Sequence, residues 1–313
     1  MISIYRTDDR IIKEREEITE GCWVKLTAPT LEECAEISEK FGIDVADVRA
    51  ALDDEETSRI SLEDDYTLIL VDIASAEVRN NRRTYTTIPL GIILTDEVVI
   101  TVCAEETAVL NTFIDQRVRD FSTKKRLKFM YQILYNVAMV YQSLLRNIER
   151  KRAEIEERMN KSTEDSDLVD LHELETNLVY FATSLRANSV VLDRLTRYAR
   201  LRQFPEDQEL LDDVIIENKQ AIEMTSIYRD IIDGTRELMS TVINNRLNNV
   251  MKYLAAVTIV MSIPTIISGF WGMNVAPEAM PFSSGPWGFL IITIITVLIC
   301  IASMLILKKR KML

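Results

Sequence analysis

The stretch Pro264-Thr265-Ile266-Ile267-Ser268-Gly269-Phe270-Trp271-Gly272-Met273-Asn274 closes an uncharged run that begins at Tyr253. A second uncharged run, Trp287 to Leu307, follows after a short loop, and Lys308-Lys309-Arg310-Lys311 comes after it. At 1.5 Å per residue, about 20 helical residues cross the roughly 30 Å hydrocarbon core of a bilayer, so each run can span. The connecting loop has no Lys or Arg and one acid, Glu278, whereas Arg246 and Lys252 precede the first run. Basic residues mark the cytoplasmic side, which predicts both termini inside and the Gly-Met-Asn turn outside. Trp271 and Trp287 then fall at the outer interface, where indole rings anchor.

Working outward, the first span carries a polar stripe. Asn248, Met251, Ala255, Thr258, Ser262 and Thr265 recur at steps of three and four, which puts them on one helix face, with Leu254 beside it. Such a stripe packs helix against helix or lines a pore. Two spans cannot enclose a channel, so a pore would be shared by several copies around an axis. At the outer end, Gly272-Met273-Asn274 breaks the helix. Glycine permits unusual backbone there, and the Asn amide offers an oxygen acceptor. A ring of such oxygens suits a hard divalent cation such as magnesium, held through its hydration shell. Glu278 in the loop reads either as a cation attractor or as a solvated carboxylate.

The 313 residues carry a formal net charge of −12, which argues against nucleic acid as a partner and fits the handling of cations. Cys22, Cys34, Cys103 and Cys300 are scattered without a Cys-x-x-Cys pair, which argues against a zinc ribbon or a disulfide framework and suits a reducing cytosol. His172 is the only histidine, so histidine metal sites and Ser-His-Asp chemistry lack material. No Gly-x-x-x-x-Gly-Lys loop is present, and no nucleophile–base constellation appears; an enzyme is not expected. The first twenty residues are polar and lack the apolar core of a signal peptide.

Residues 1–122 read as an α/β domain, with Thr30 and Glu33 forming a capping box and strands at Thr67–Ile73, Thr86–Thr95 and Val98–Val102. Residues 123–204 read as a helical hairpin. Its outgoing face is Leu127, Met130, Leu134, Val137, Tyr141, Leu144 and Ile148; Asn160–Ser166 forms the tip; the return face includes Leu171, Phe181 and Val190. The acids between Glu154 and Glu175 read as a solvated surface, with cation attraction as the alternative. Residues 205–252 form a long stalk helix that enters the first span, 253–271. The loop 272–286, the second span 287–307 and the basic tail 308–313 complete the order.

Asn248-Asn249-Val250-Met251-Lys252, Pro264-Thr265-x-x-Ser268-Gly269 and Gly272-Met273-Asn274, followed by a second span and basic tail, resemble the CorA family of magnesium transporters. Trp23-Val24-Lys25-Leu26 and Pro29 to Glu33 are similar to that family's first strand and helix. The resemblance implies a funnel-shaped homopentamer in the cell membrane, with an N-terminal cytosolic α/β domain, a helical stalk and two C-terminal membrane helices. It implies a selectivity ring of Gly272, Met273 and Asn274, a pore lined by Thr265, and a cytoplasmic half narrowed by Asn248, Met251 and Leu254. It implies influx of Mg²⁺, with Co²⁺ and Ni²⁺ as further ions, and no resident cofactor beyond transported and regulatory magnesium. Asp213 occupies the stalk position of the family's inter-subunit sensing site. Its N-terminal counterpart falls at Ala50, with Asp53 and Asp54 nearby as substitutes. Trp271 stands where tyrosine is usual, and Ser262 where a methionine is expected. Zinc transport by the same architecture, or a non-conducting membrane-tethered sensor or scaffold, are the alternatives.

Overall fold

The structure is a computed structural model that describes residues 1–9, 11–79, 82–161, 165–198, 201, 204–276, 281–282 and 287–310. It divides into two compact units, Met1–Arg236 and Glu237–Leu313.

The first unit is built on a seven-stranded sheet in the order β2-β1-β3-β7-β6-β5-β4. The strands are β1 (Ile2–Asp8), β2 (Ile11–Arg15), β3 (Trp23–Thr27), β4 (Arg59–Leu62), β5 (Tyr66–Arg79), β6 (Arg82–Thr95) and β7 (Val99–Cys103). Only β3 and β7 pair in parallel; the other pairs are antiparallel. The expected strand at Trp23 is therefore the third, because two charged strands, the edge strand β2 and its neighbour β1, precede it. The three expected strands of residues 67–102 are present, and β5 and β6 each run on to 14 residues. The Thr95 side chain and backbone hold the turn into β7 through Val98.

Side chains alternate across a strand, so each face of β5 serves its own core. Leu68 and Leu70 join Val24, Ile93, Ile100 and Val102 beneath α1 (Leu31–Phe41) and α2 (Val45–Arg49). The expected capping box starts α1: Thr30 Oγ1 accepts from Glu33 N at 3.2 Å, and Glu33 Oε2 accepts from Thr30 N at 2.8 Å. A 3₁₀ turn, Ala50–Leu52, follows α2. On the other side Trp23 packs its ring against Phe113 of α3 (Ala108–Ile114) and Phe129 of α4 (Arg126–Lys161), and its indole N–H reaches Thr101 at 2.8 Å.

Helix α5 (Asp165–Leu195) returns along β5 and β6, and two of its asparagines complete the sheet. Strand β4 stops opposite Thr67–Leu70, so the β5 edge is bare at Asp72. The Asn188 amide takes the place of a strand there, accepting from Asp72 N and donating to Asp72 O, both at 2.8 Å. Strand β7 stops opposite Leu90, and Asn177 accepts from Tyr85 N at 3.3 Å on the edge it leaves. Buried backbone groups rarely go unpaired, and these side chains meet that demand.

Two expectations for the hairpin change. Leu145 and not Leu144 is the fully buried residue on α4, and Val190 is exposed while Val191 and Leu192 are buried. The acidic segment is not wholly solvated either. Asp167 is buried against Arg158 at 3.2 Å, Arg158 also holds Asp170 at 3.2 Å, and Glu175 pairs with Arg236. Arg158 thereby ties α4 to α5. Of the expected tip, residues 162–164 lie outside the described residues.

Helix α6 (Pro205–Trp271) crosses from the first unit into the second without a break, and Gly234 does not interrupt it. Helix α7 (Gly288–Lys309) completes the second unit. The apolar part of α6 and the whole of α7 are long and apolar enough to cross a membrane.

Candidate functional site: the striped face of α6 and its terminal turn

On the apolar part of α6 the covered residues define one side. Ala256 is buried, and Val260, Ile263, Ile267 and Trp271 are half-buried at steps of three and four. Helix α7 lies on that side: Trp271 and Phe289 rings stand 6.3 Å apart, and the Gly288 α-carbon faces the Trp271 ring. Pro264 supplies no N–H for the Val260 carbonyl, and a freed carbonyl in an apolar setting needs another donor. The Cys300 thiol of α7 approaches that oxygen at 3.9 Å. The small residues Gly288, Thr296, Cys300 and Ser303 share the covered side of α7, and such residues let membrane helices approach closely.

The stripe lies elsewhere. Met251, Ala255, Thr258, Ser262 and Thr265 are exposed, as are Asn248 and Leu254. At about 100° per residue their centre is roughly half a turn away from the side that α7 covers. The hydroxyls share a habit. Thr258 Oγ1 donates to Leu254 O at 2.8 Å, Ser262 Oγ to Ile259 O at 2.8 Å, and Thr265 Oγ1 to Met261 O at 3.1 Å. Each proton is turned into the helix, so the oxygen lone pairs face outward as acceptors. An acceptor-only surface fits the waters of a hydrated cation, whose protons point away from the metal.

The turn at the end of α6 keeps the helix pattern for one step. Gly272 N bonds Ser268 O at 2.8 Å, Met273 N reaches Phe270 O at 3.4 Å, and Val275 N closes on Met273 O at 2.9 Å. Gly272 is not left-handed; among the described residues the glycines with positive φ are Gly21 and Gly42. Close approach explains it instead, because a Cβ at Gly272 would stand 3.0 Å from Ser268 O. Met273 and Asn274 are exposed, and the Asn274 amide makes no hydrogen bond among the described residues. Glu278 lies outside the described residues.

The carboxylates expected to sense cations sit in the first unit. Asp213 is exposed on α6, near enough to Tyr135 of α4 to help raise its phenol pKa, after burial and Glu217. Asp53 and Asp54 are exposed in the loop after the 3₁₀ turn, where Asp53 Oδ1 accepts from Glu55 N at 3.0 Å; Ala50 is buried. Among the described residues no three His, Cys, Asp or Glu side chains converge on a metal position. The sequence reading missed the Cys300–Val260 contact. The proline at Pro264 signalled a free carbonyl, but the partner depends on how α7 is seated.

Residues 19–309 match the model of the CorA-like Mg²⁺ transporter protein family. A cobalt/magnesium transport protein, CorA, of Methanocaldococcus jannaschii is 28% identical over 295 residues, covering 92% of this chain and 90% of the relative. The complete structure of the CorA magnesium transporter from that organism superposes with a TM-score of 0.80 at 25% identity, covering 98% of this chain and 96% of the other. The cytoplasmic domain of ZntB from Vibrio parahaemolyticus is similar in fold, with a TM-score of 0.59 at 11% identity over 78% of this chain and 98% of its own.

Proposed function

The chain belongs to the CorA-like Mg²⁺ transporter family and is a membrane-embedded divalent cation transporter, and from that premise we propose how it conducts. Five copies gather around an axis, with the α6 stripe facing the axis and α7 outside it. Gly272, Met273 and Asn274 form the outer ring, where carbonyl and amide oxygens receive a hydrated ion. Thr265, Ser262 and Thr258 present acceptors along the way. Met251 and Leu254 form an apolar constriction that stops ions by dewetting when narrow, with Asn248 below it. Both termini lie in the cytoplasm, as the basic residues flanking the two spans support.

The observation that carries this reading is the placement of the back-bonded stripe opposite the α7-covered side. Helices packing only on each other would place small polar residues toward α7, as α7 itself does. Magnesium is the proposed cargo, with cobalt and nickel as further ions, since a hydrate-binding ring discriminates weakly by ligand softness. The driving force is the membrane potential, worth about 2.3 kcal/mol per charge per 100 mV and double that for a divalent ion, directed inward.

Gating follows from the carboxylates. Asp213 of one copy and Asp53 or Asp54 of its neighbour hold cytosolic Mg²⁺ and keep the pore shut; without the ion they repel and the copies separate. Ion flux into proteoliposomes with Mg²⁺, Co²⁺ or Zn²⁺ outside tests conduction. Magnesium flux that Asn274→Ala abolishes is expected; equal flux in that variant, or none in either, defeats the pore. Asp213→Lys with Asp53→Ala should relieve inhibition by internal magnesium, and unchanged inhibition removes these residues from gating.

A further inference from the structure

We infer that the first unit contains a binding site for a nucleoside phosphate, in a cavity of about 560 Å³ at the start of α6. The volume falls within the roughly 300–1,000 Å³ range of small-molecule pockets. The site combines three features that no simple ion satisfies together.

The first is unpaired positive charge. Lys125, just before α4, and Lys128, in its first turn, line the cavity, and neither side chain makes a hydrogen bond or ion pair among the described residues. Arg126 beside them is already engaged by the Thr95 carbonyl and, at 3.8 Å, by Asp96. The second is an orphaned acceptor. Asp207, in the first turn of α6, lines the same cavity, is only 5% exposed, and its Oδ2 has no hydrogen-bond partner. A buried acceptor left unmet costs about 1–3 kcal/mol, which a ligand N–H or O–H would recover. The field of Lys128 and Lys125 reaches this carboxyl, yet burial outweighs it and raises the pKa. The third is Phe204, which lines the cavity and is 62% exposed, so its ring is free to stack.

A bare anion would match the lysines and leave Asp207 unmet. A bare cation would find Asp207 beside Asp65, Asp96 and Glu206, but it would also meet Lys124, Lys125 and Lys128 and leave Phe204 unused. A nucleoside phosphate answers all three: phosphate on Lys125 and Lys128, base against Phe204, and an amino or hydroxyl donor on Asp207. The cavity includes the first turn of the helix that ends in the Gly-Met-Asn turn, so occupancy would act on the start of α6.

The test is titration calorimetry of the full chain in detergent micelles without added magnesium, with AMP, adenosine and inorganic phosphate as separate probes. Saturable AMP binding is expected, with adenosine and phosphate each weaker by about tenfold or more. Lys125→Ala with Lys128→Ala should weaken AMP about tenfold, and Phe204→Ala should weaken it severalfold, with thermal melts confirming that these changes leave folding intact. No saturable binding of AMP at about 5 mM overturns the inference. So does phosphate binding as tightly as AMP, which would mark an unselective anion site, or AMP binding that both variants leave unchanged.

Discussion

The two parts of α6 treat hydroxyl and amide groups differently. In the first unit several reach other elements: Asn218 donates to Leu185 O on α5 at 3.1 Å, and Thr235 accepts from Arg152 of α4 at 3.2 Å, while Thr225 bonds only Ile222 O of its own helix. In the second unit Thr258, Ser262 and Thr265 bond only their own helix. Thr235 is the instructive case, because its hydroxyl also donates back, to Ile231 O at 2.9 Å. It shows the complete arrangement: proton turned into the helix, lone pair filled by an outside donor. Thr258 and Thr265 display the first half alone. The missing half is an external donor, which water around a cation would supply in the proposed pore.

The largest effect belongs to the first unit, where polar groups have fixed partners. Asn188→Leu removes both bonds to Asp72: the Asp72 N–H is left facing an apolar side chain, while its C=O keeps the Tyr141 hydroxyl at 3.2 Å. One unmet donor at about 1–3 kcal/mol and one lost bond at about 1 kcal/mol predict a loss of roughly 3 kcal/mol. Chemical denaturation followed by circular dichroism measures it. A loss below about 0.5 kcal/mol would show that the edge is solvated and that the contrast between the two parts of α6 is overdrawn.

How much of this was legible in the sequence follows from the same contrast. The membrane part was read from absence of charge, and an uncharged run as long as Trp287–Leu307 suits little besides a bilayer. The stripe was legible because its residues bond locally, so spacing alone locates them. Asn177 and Asn188 were not, since their role depends on where β7 and β4 end, many residues away in sequence. Strands β1 and β2 escaped notice because both carry charge, here Arg6, Asp8 and Lys13, which masks alternation; only β2 is an edge strand, where such charge is usual. Asp207 and the lysines at the start of α4 were hidden for a related reason: four segments, 65–67, 94–96, 124–128 and 201–207, make one cavity. The helix does end at the Gly272 turn, but the glycine's reason there is a close approach to Ser268 O, and sequence cannot separate that from a left-handed φ.

The next effect is on flux. Thr258→Val together with Thr265→Val keeps shape and removes two outward acceptors, at little cost to the helix, because the lost bonds are local. Magnesium flux should fall about tenfold, equivalent to about 1.4 kcal/mol, while the melting temperature stays unchanged. Thr235→Val is the soluble counterpart and should behave in the opposite way. It takes a partner from Arg152 and should lower stability by about 1 kcal/mol without altering flux. If the membrane pair leaves flux intact, the stripe faces lipid or a helix and the proposed pore is in the wrong place.

The smallest effect concerns charge in the first unit. Burial raises the Asp72 carboxyl above the usual aspartate value, and Ser184 and Ser58 offset only part of that. The native state therefore disfavours the charged form. Between the unfolded and folded pKa values the native protein holds a proton that the unfolded chain has lost, so stability falls as pH rises through that window. Above the folded pKa the penalty is complete; below the unfolded value it is absent. Asp72→Asn removes the titration while keeping an oxygen for both serines. The variant should melt higher than the native protein at neutral pH, and the gap should close as pH drops below the ordinary carboxylate range. Taking the difference between the two proteins cancels every other group that titrates identically in both. A gap that persists at low pH would assign the gain to packing and not to charge.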